Sequence, residues 1–249
     1  PPPGCVWPPR KIAAAIDDFD EMALQQLSMA SECLLSSSGS LLAMRCNYGT
    51  GILPSLFGAE PFLMEEKYGT LPTSRPLPGT DAIRRAVAAG VPDLETGFGG
   101  RVFEMGARLR ALQQTYPKLG KYVYLYHPDL QGPLDVAELL WGSGIFYAFY
   151  DDPALVRALL EVITATYIAF MRRWEQLAPP AGDHTVHWGI WQKGRIMIRN
   201  DSAMNLSPEM YAEFSVPYDQ RLLDIFGGTI HACGRVDHYI EELSRIRGL

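Results

Sequence analysis

Two side chains in the stretch GGTIHACGRVDH, His231 and Cys233, are of types that hold a divalent metal. Imidazole nitrogen and thiolate sulfur approach Zn²⁺ at about 2.0 to 2.3 Å, and a catalytic zinc takes three protein ligands and keeps a fourth position open. Residues two apart on an extended strand share a face, so His231 and Cys233 can point the same way, and Gly234 lets the chain turn directly after them. From spacing alone a buried cysteine beside a hydrogen-bonded histidine is the commoner arrangement, since H-x-C is far less specific than paired C-x-x-C.

Other polar residues fall at the ends of predicted strands. Asp129, after YLYHP, and Asp201, after RIMIRN, are candidates to accept hydrogen bonds from a substrate or to orient a ligand histidine; an aspartate at a strand end is also a common helix cap or turn former. His127, His187, Trp188 and Trp191 lie near the same rim and are expected to shape a pocket rather than to react. Lys193 and Arg199 are charges that could meet an anion or simply face solvent. Cys5, Cys33 and Cys46 read as structural or incidental.

The elements that would position these residues alternate between helix and strand. In KIAAAIDDFDEMALQQLSMASECLLSSS, Ile12, Ile16, Phe19, Ala23, Leu27, Ala30 and Leu34 recur at three- or four-residue steps, which predicts one helical face. SLLAMRCNYGTG reads as a short strand and the stretch through LPTSRPLPGT as loops. GGRVFEMGARLRAL predicts a helix with Val102, Met105, Leu109 and Leu112 on one side, and the β-branched and aromatic KYVYLYHPDL a strand. QGPLDVAELLWG begins a helix at Pro133 and ends it at Gly142. DDPALVRALLEVITATYIAFMRRWEQL predicts the longest helix, capped by Asp152, started by Pro153, with Leu155, Leu159, Val162, Phe170 and Trp174 on its buried face. Ser207 and Pro208 open another helix, Pro217 interrupts the next, GGTIHACG is a strand, and RVDHYIEELSRI places Val236, Ile240 and Leu243 in helical register.

Alternation of this kind favours a parallel sheet, open or closed into a barrel. Neither G-x-G-x-x-G nor G-x-x-x-x-G-K-[ST] occurs, so the nucleotide-binding versions lose their usual support and a barrel is the better reading. The 249 residues, 47% hydrophobic and 20% charged, are enough to bury a sizeable core. A net charge of −6 gives no basic field for nucleic acid. Four irregularly spaced cysteines argue against a disulfide scaffold and for a reducing compartment, by default the cytoplasm. No leader-like start and no uninterrupted apolar run of about 20 residues suggests secretion or membrane spanning. A start at PPPGCVWPPR without methionine and an end at SRIRGL are expected of a fragment.

The succession HPDLQGPLDVAELLWG, DDPALVRALLEVIT and NDSAMNLSPEMYAEFSVPYDQRLLDIFGGTIHACG resembles the superfamily of uroporphyrinogen decarboxylases and cobalamin-dependent methyltransferases, from about Leu41 to Leu249 and most strongly from Pro128 onward. The resemblance implies an α/β fold, a (β/α)₈ TIM barrel lacking its last strands at the C-terminus, over residues 41–249, preceded by an N-terminal helical extension over residues 1–40. It also implies a homodimer.

Two chemistries compete within that superfamily. In the decarboxylases, arginines of an amino-terminal motif and a central aspartate serve the acid groups and pyrrole N–H groups of a tetrapyrrole. Here Arg10 stands in the place of the first arginine, but IAA replaces the Gly-Arg that should follow. LLAMRCNYGTGILPSLFG, from Leu41 to Gly58, contains no acidic residue, and Leu139 replaces a tyrosine. The methyltransferase branch uses H-x-C at the end of a late barrel strand and a second cysteine much further on, so the resemblance implies zinc at His231 and Cys233, with the third ligand beyond Leu249. It implies further that the zinc activates a small-molecule thiol for methyl transfer from a corrinoid on a partner protein. A tetrapyrrole lyase and a non-catalytic binding relative are the alternatives.

Overall fold

A computed structural model describes residues 7–36 and 38–249; Cys5 and the start of the CVWPPRK motif lie outside them. The chain is a mixed helix and strand structure in which helices supply most of the core. The longest helix, Pro153–Leu177, forms where the sequence places it: Pro153 lacks the N–H that a first helical position leaves unpaired, and Asp152 accepts the Leu155 N–H through its side chain at 3.1 Å. Leu159, Ile163, Tyr167, Phe170 and Trp174 are buried along its length. By length and composition this helix could cross a membrane. Here it packs against helices Gly79–Ala89, Gly99–Thr115, Pro133–Trp141, Ile145–Asp151 and Val216–Phe226, and most of its apolar stretch is buried.

Among the described residues the strands pair as four two-stranded sheets, two parallel and two antiparallel, without a closed ring. Ala43–Met44 runs parallel to Tyr124–Leu125, and Ile196–Arg199 runs parallel to Gly228–His231 with Arg199 opposite His231. A single parallel bridge from Gln131 to Arg199, with the Gly132 N–H donating to the Arg199 carbonyl at 2.8 Å, sets the second pair beside the chain leaving the first. All these segments point the same way, so their carboxyl ends gather at one rim. The helices from Pro133–Trp141 to Pro153–Leu177 lie between Tyr124–Leu125 and Ile196–Arg199 in the chain, and Pro208–Phe214 and Val216–Phe226 lie between Ile196–Arg199 and Gly228–His231.

Two elements, the first and the last helical segments, differ from the sequence reading. The first helical segment is two helices, Ile12–Asp17 and Phe19–Ser36, because Asp18 is extended (φ −124°, ψ 126°) and its carboxylate accepts the Asp20 and Glu21 N–H groups, capping the second helix. Leu34, assigned to the buried face, is exposed. HTVHWGIW supplies the first strand, the turn and the start of the second strand of an antiparallel hairpin, His184–His187 against Ile190–Lys193. At the end of the chain a 3₁₀ turn, Asp237–Tyr239, precedes a short helix, Ile240–Ser244, so Tyr239 is buried and Ile240 exposed.

Candidate functional site

His231 ends the strand Gly228–His231, and Cys233 lies past it in the following bend, not on the strand where the two-residue spacing placed it. The His231 Nε2 and Cys233 Sγ atoms are 3.1 Å apart. Asp201, two residues beyond the neighbouring strand, completes the group: its Oδ1 lies 3.7 Å from His231 Nε2 and accepts the Cys233 N–H at 2.7 Å. One nitrogen, one sulfur and one carboxylate oxygen thus lie within 4.8 Å of one another. Cys233 is exposed and the other two are half-buried, so the cluster opens to solvent on one side. Burial and then the Asp201 carboxylate raise the Cys233 thiol above its ordinary pKa, which keeps it protonated while no cation is near.

The loop carrying Asp201 is held by groups the sequence did not single out. Asp135, buried in the first turn of helix Pro133–Trp141, accepts the Asp201 N–H on Oδ2 (3.0 Å) and the Ser202 N–H on Oδ1 (2.8 Å), and Ser202 Oγ donates to Glu138. Asn200 donates its N–H to the His231 carbonyl at 2.8 Å and its side-chain amide to Ser215 Oγ and Asp219 Oδ2. Burial pushes both Asp135 and Asp219 up to about 7; in Asp135 the two backbone N–H groups oppose that rise, and in Asp219 the Ser215 hydroxyl does.

Asp129 is not one of the groups that meet at His231. It is buried between two guanidinium groups: Arg199 Nη2 donates to its Oδ1, and Arg45 Nη1 lies 2.6 Å from its Oδ2, though outside hydrogen-bonding geometry. Arg199, expected as a charge that could simply face solvent, is 4% exposed and also donates to the Leu130 carbonyl and to His187 Nε2. His127 and His187 are buried with rings 4.8 Å apart, and burial, the first of several causes, lowers both pKa values, that of His127 to about 3. Both are neutral at physiological pH and serve as walls. With two arginines, one aspartate and neutral imidazoles, the buried group carries an excess positive charge.

Trp188 separates this charge from the His231 cluster. The Arg199 guanidinium lies 4.7 Å from the centre of its ring, and the His231 ring meets it edge-on at 4.9 Å. Its backbone has φ 50°, unusual for a bulky residue, because Trp188 and Gly189 form a two-residue hairpin turn in which both central residues need positive φ. On one side of Trp188 a cavity of about 240 Å³ is lined by Arg45, Tyr126, Gln26 and Cys33. Another of about 310 Å³ lies beneath His231 between Asn200, Tyr211 and Tyr239. Trp191 instead stacks on His184 at 4.0 Å, and Lys193 lines a wider groove at the opposite, amino ends of the strands. Cys46 is buried and Cys33 partly so.

Candidate groups at the carboxyl ends of parallel strands, fed by helical connections, define an α/β scaffold of the kind that carries enzyme sites at one rim. No family model and no curated protein matches the sequence. Among solved structures the chain is similar to a methyltransferase from Methanosarcina mazei, with a TM-score of 0.68 and 19% identity over 98% of this chain and 68% of that one. At that identity the likeness establishes a methyltransferase-like fold.

Proposed function

We propose that the protein is a zinc-dependent methyltransferase of the uroporphyrinogen decarboxylase and cobalamin methyltransferase superfamily, its parallel strands belonging to a (β/α)₈ barrel, acting on a small-molecule thiol. The observation that carries this reading is the meeting of Asp201, His231 and Cys233 at the carboxyl ends of adjacent parallel strands, in a fold like that of a methyltransferase. The donor set suits Zn²⁺: imidazole nitrogen, thiol sulfur and carboxylate oxygen are its three usual protein ligands, and a side open to solvent leaves room for a substrate. When bound, zinc lowers the pKa of a coordinated thiol toward neutrality, and a corrinoid on a partner protein supplies the methyl group.

The chain's own residues would do the rest. His231 and Cys233 hold the ion with Asp201 as the third donor, whose Oδ1 also accepts the Cys233 N–H and so steadies the turn. Arg45 and Arg199, with their single aspartate, provide a buried positive field across Trp188 that favours a thiol bearing an acidic group. Trp188 and Tyr126 wall the acceptor off from water. A tetrapyrrole lyase is less well supported. Arg10, the surviving arginine of the decarboxylase motif, is ion-paired with Glu21 at 3.3 Å.

Metal analysis of the purified protein tests the reading. About one zinc per chain, lost on His231→Ala or Cys233→Ala, is expected. A protein that takes up no zinc, or keeps it in both variants, overturns it.

A further inference from the structure

We propose that Asp135 is the positioning residue of this site: by accepting two successive backbone N–H groups, its carboxyl group fixes the direction from which Asp201 meets the His231 and Cys233 side chains. The proposal rests on the reading of those three residues as a metal centre, and it adds a residue that touches none of the reacting groups.

The argument begins with the backbone. The strand Ile196–Arg199 ends at Asn200, and the chain turns at Asp201 (φ −72°, ψ −33°) into the 3₁₀ turn Ser202–Asn205. The N–H groups that open such a turn have no partner within it, and neither Asp201 nor a neighbouring side chain caps it locally. Asp135 supplies both acceptors at once, one oxygen for each N–H. Only a carboxyl group can do this from one side chain, because the amide of asparagine would present its NH₂ to one of the two donors. Glu138, one helical turn further along the same face, accepts a hydrogen bond from the Ser202 hydroxyl and adds a second tether.

The other end of the loop is equally constrained. Asn200 is 1% exposed and anchored to Ser215, Asp219 and the His231 carbonyl. With residues 200 and 202 both fixed, the remaining freedom of Asp201 is rotation of its own side chain. Its Oδ1 is then aimed at the Cys233 N–H and, at 3.7 Å, at His231 Nε2. Asp135 therefore acts on the two candidate ligands through the backbone of a third. A ligand held about 1 Å away from its place loses affinity even when all ligands remain present, and partners one step removed from a metal commonly contribute 10- to 100-fold to its binding.

The test uses the full chain and two probes, Zn²⁺ by competition against a chromophoric chelator and Co²⁺ followed by its thiolate-to-cobalt charge-transfer band. Asp135→Asn is expected to weaken both ions by about 10-fold or more and to diminish the charge-transfer band at saturation. A purely architectural role would lower the urea midpoint of the metal-free protein and leave the cobalt spectrum and both affinities within about twofold of the parent, and that result overturns the proposal. If the parent binds neither ion, the functional reading fails, and the positioning claim is read from Cys233 itself. Alkylation by iodoacetamide, mapped to the Cys233 peptide, should then run several-fold faster in Asp135→Asn, and equal rates refute it. Should the variant not fold, hydrogen exchange in the metal-free parent decides: the Asp201 and Ser202 amides must be protected to the level of the Ile196–Arg199 strand, and loop-like exchange sinks the idea.

Discussion

Replacing Asp219 by asparagine should cost about 1 to 3 kcal/mol in acid and gain on the parent as pH rises into mild alkali. Asp219 is 1% exposed, and burial, only partly offset by the Ser215 hydroxyl, lifts its pKa from an ordinary 3.8 to about 7 while the nearby Asp135 lifts it further. A carboxyl with a raised folded-state pKa binds more protons in the folded than in the unfolded chain across that interval, so its contribution is fully present below the unfolded value and lost as pH rises through about 7. Each pH unit is worth about 1.4 kcal/mol, so the whole interval bounds the loss at roughly 4 kcal/mol. Asparagine is neutral throughout, and its carbonyl oxygen can still accept from Ser215 Oγ (2.8 Å) and Asn200 Nδ2 (2.8 Å). Its added NH₂ group, buried without a partner, costs about 1 to 3 kcal/mol at every pH. The quantity to read is therefore the change with pH in the stability difference between parent and variant, from urea unfolding at about half-unit steps between roughly pH 4 and pH 8. Taking the difference cancels the many exposed carboxylates, which titrate alike in both proteins. A difference that stays flat across the range would show that Asp219 ionises normally and would refute the reasoning from burial.

Two further changes probe the scaffold. Asp129→Ala leaves the Arg45 and Arg199 guanidinium groups buried without their shared counter-charge and should cost about 3 to 5 kcal/mol in urea unfolding; a loss below about 1 kcal/mol would mean that solvent already reaches the pair. Gly194→Ala should cost at least about 2 kcal/mol by the same measurement, because Gly194 has φ +84° and an added Cβ would lie 2.1 Å from the Gly228 nitrogen; a neutral result would show that the hairpin moves freely away from the strand.

Much of the fold was legible because its signals are local. Asp152, Pro153 and a repeating apolar face announced the helix Pro153–Leu177, and Ser207 with Pro208 announced the next one, whose cap bond to the Met210 N–H is present. The misreadings arose where one local signal competed with another. Asp18 sits inside an apolar period that runs through it, yet its side chain offers the backbone an alternative to the helix and takes it. The hairpin that HTVHWGIW forms with the residues after it had no comparable local signal. The hairpin depends on Trp188 adopting a positive φ, which side-chain type argues against and only the surrounding packing can impose.

The site divides along the same line. His231 and Cys233 could be paired from sequence because residues two apart stay neighbours, although Cys233 meets His231 from the bend after the strand and not from the strand face, and Asp201 could be suspected because it follows a strand. Asp135 could not, since its partners lie 66 and 67 residues away and a lone aspartate in a first helical turn looks like any other favourable charge at a helix start. Whether Arg199 meets an anion or faces solvent is not decided by sequence for the same reason: its burial depends on Asp129, 70 positions earlier, and on Arg45 beyond that. A buried charge is tolerated only where its counter-charge has already been placed, so its position is a property of the finished tertiary structure and not of the segment that carries it. The two ligand-type residues visible in sequence are thus the ones whose geometry is local, while the groups that hold them in place are those the chain brings together last.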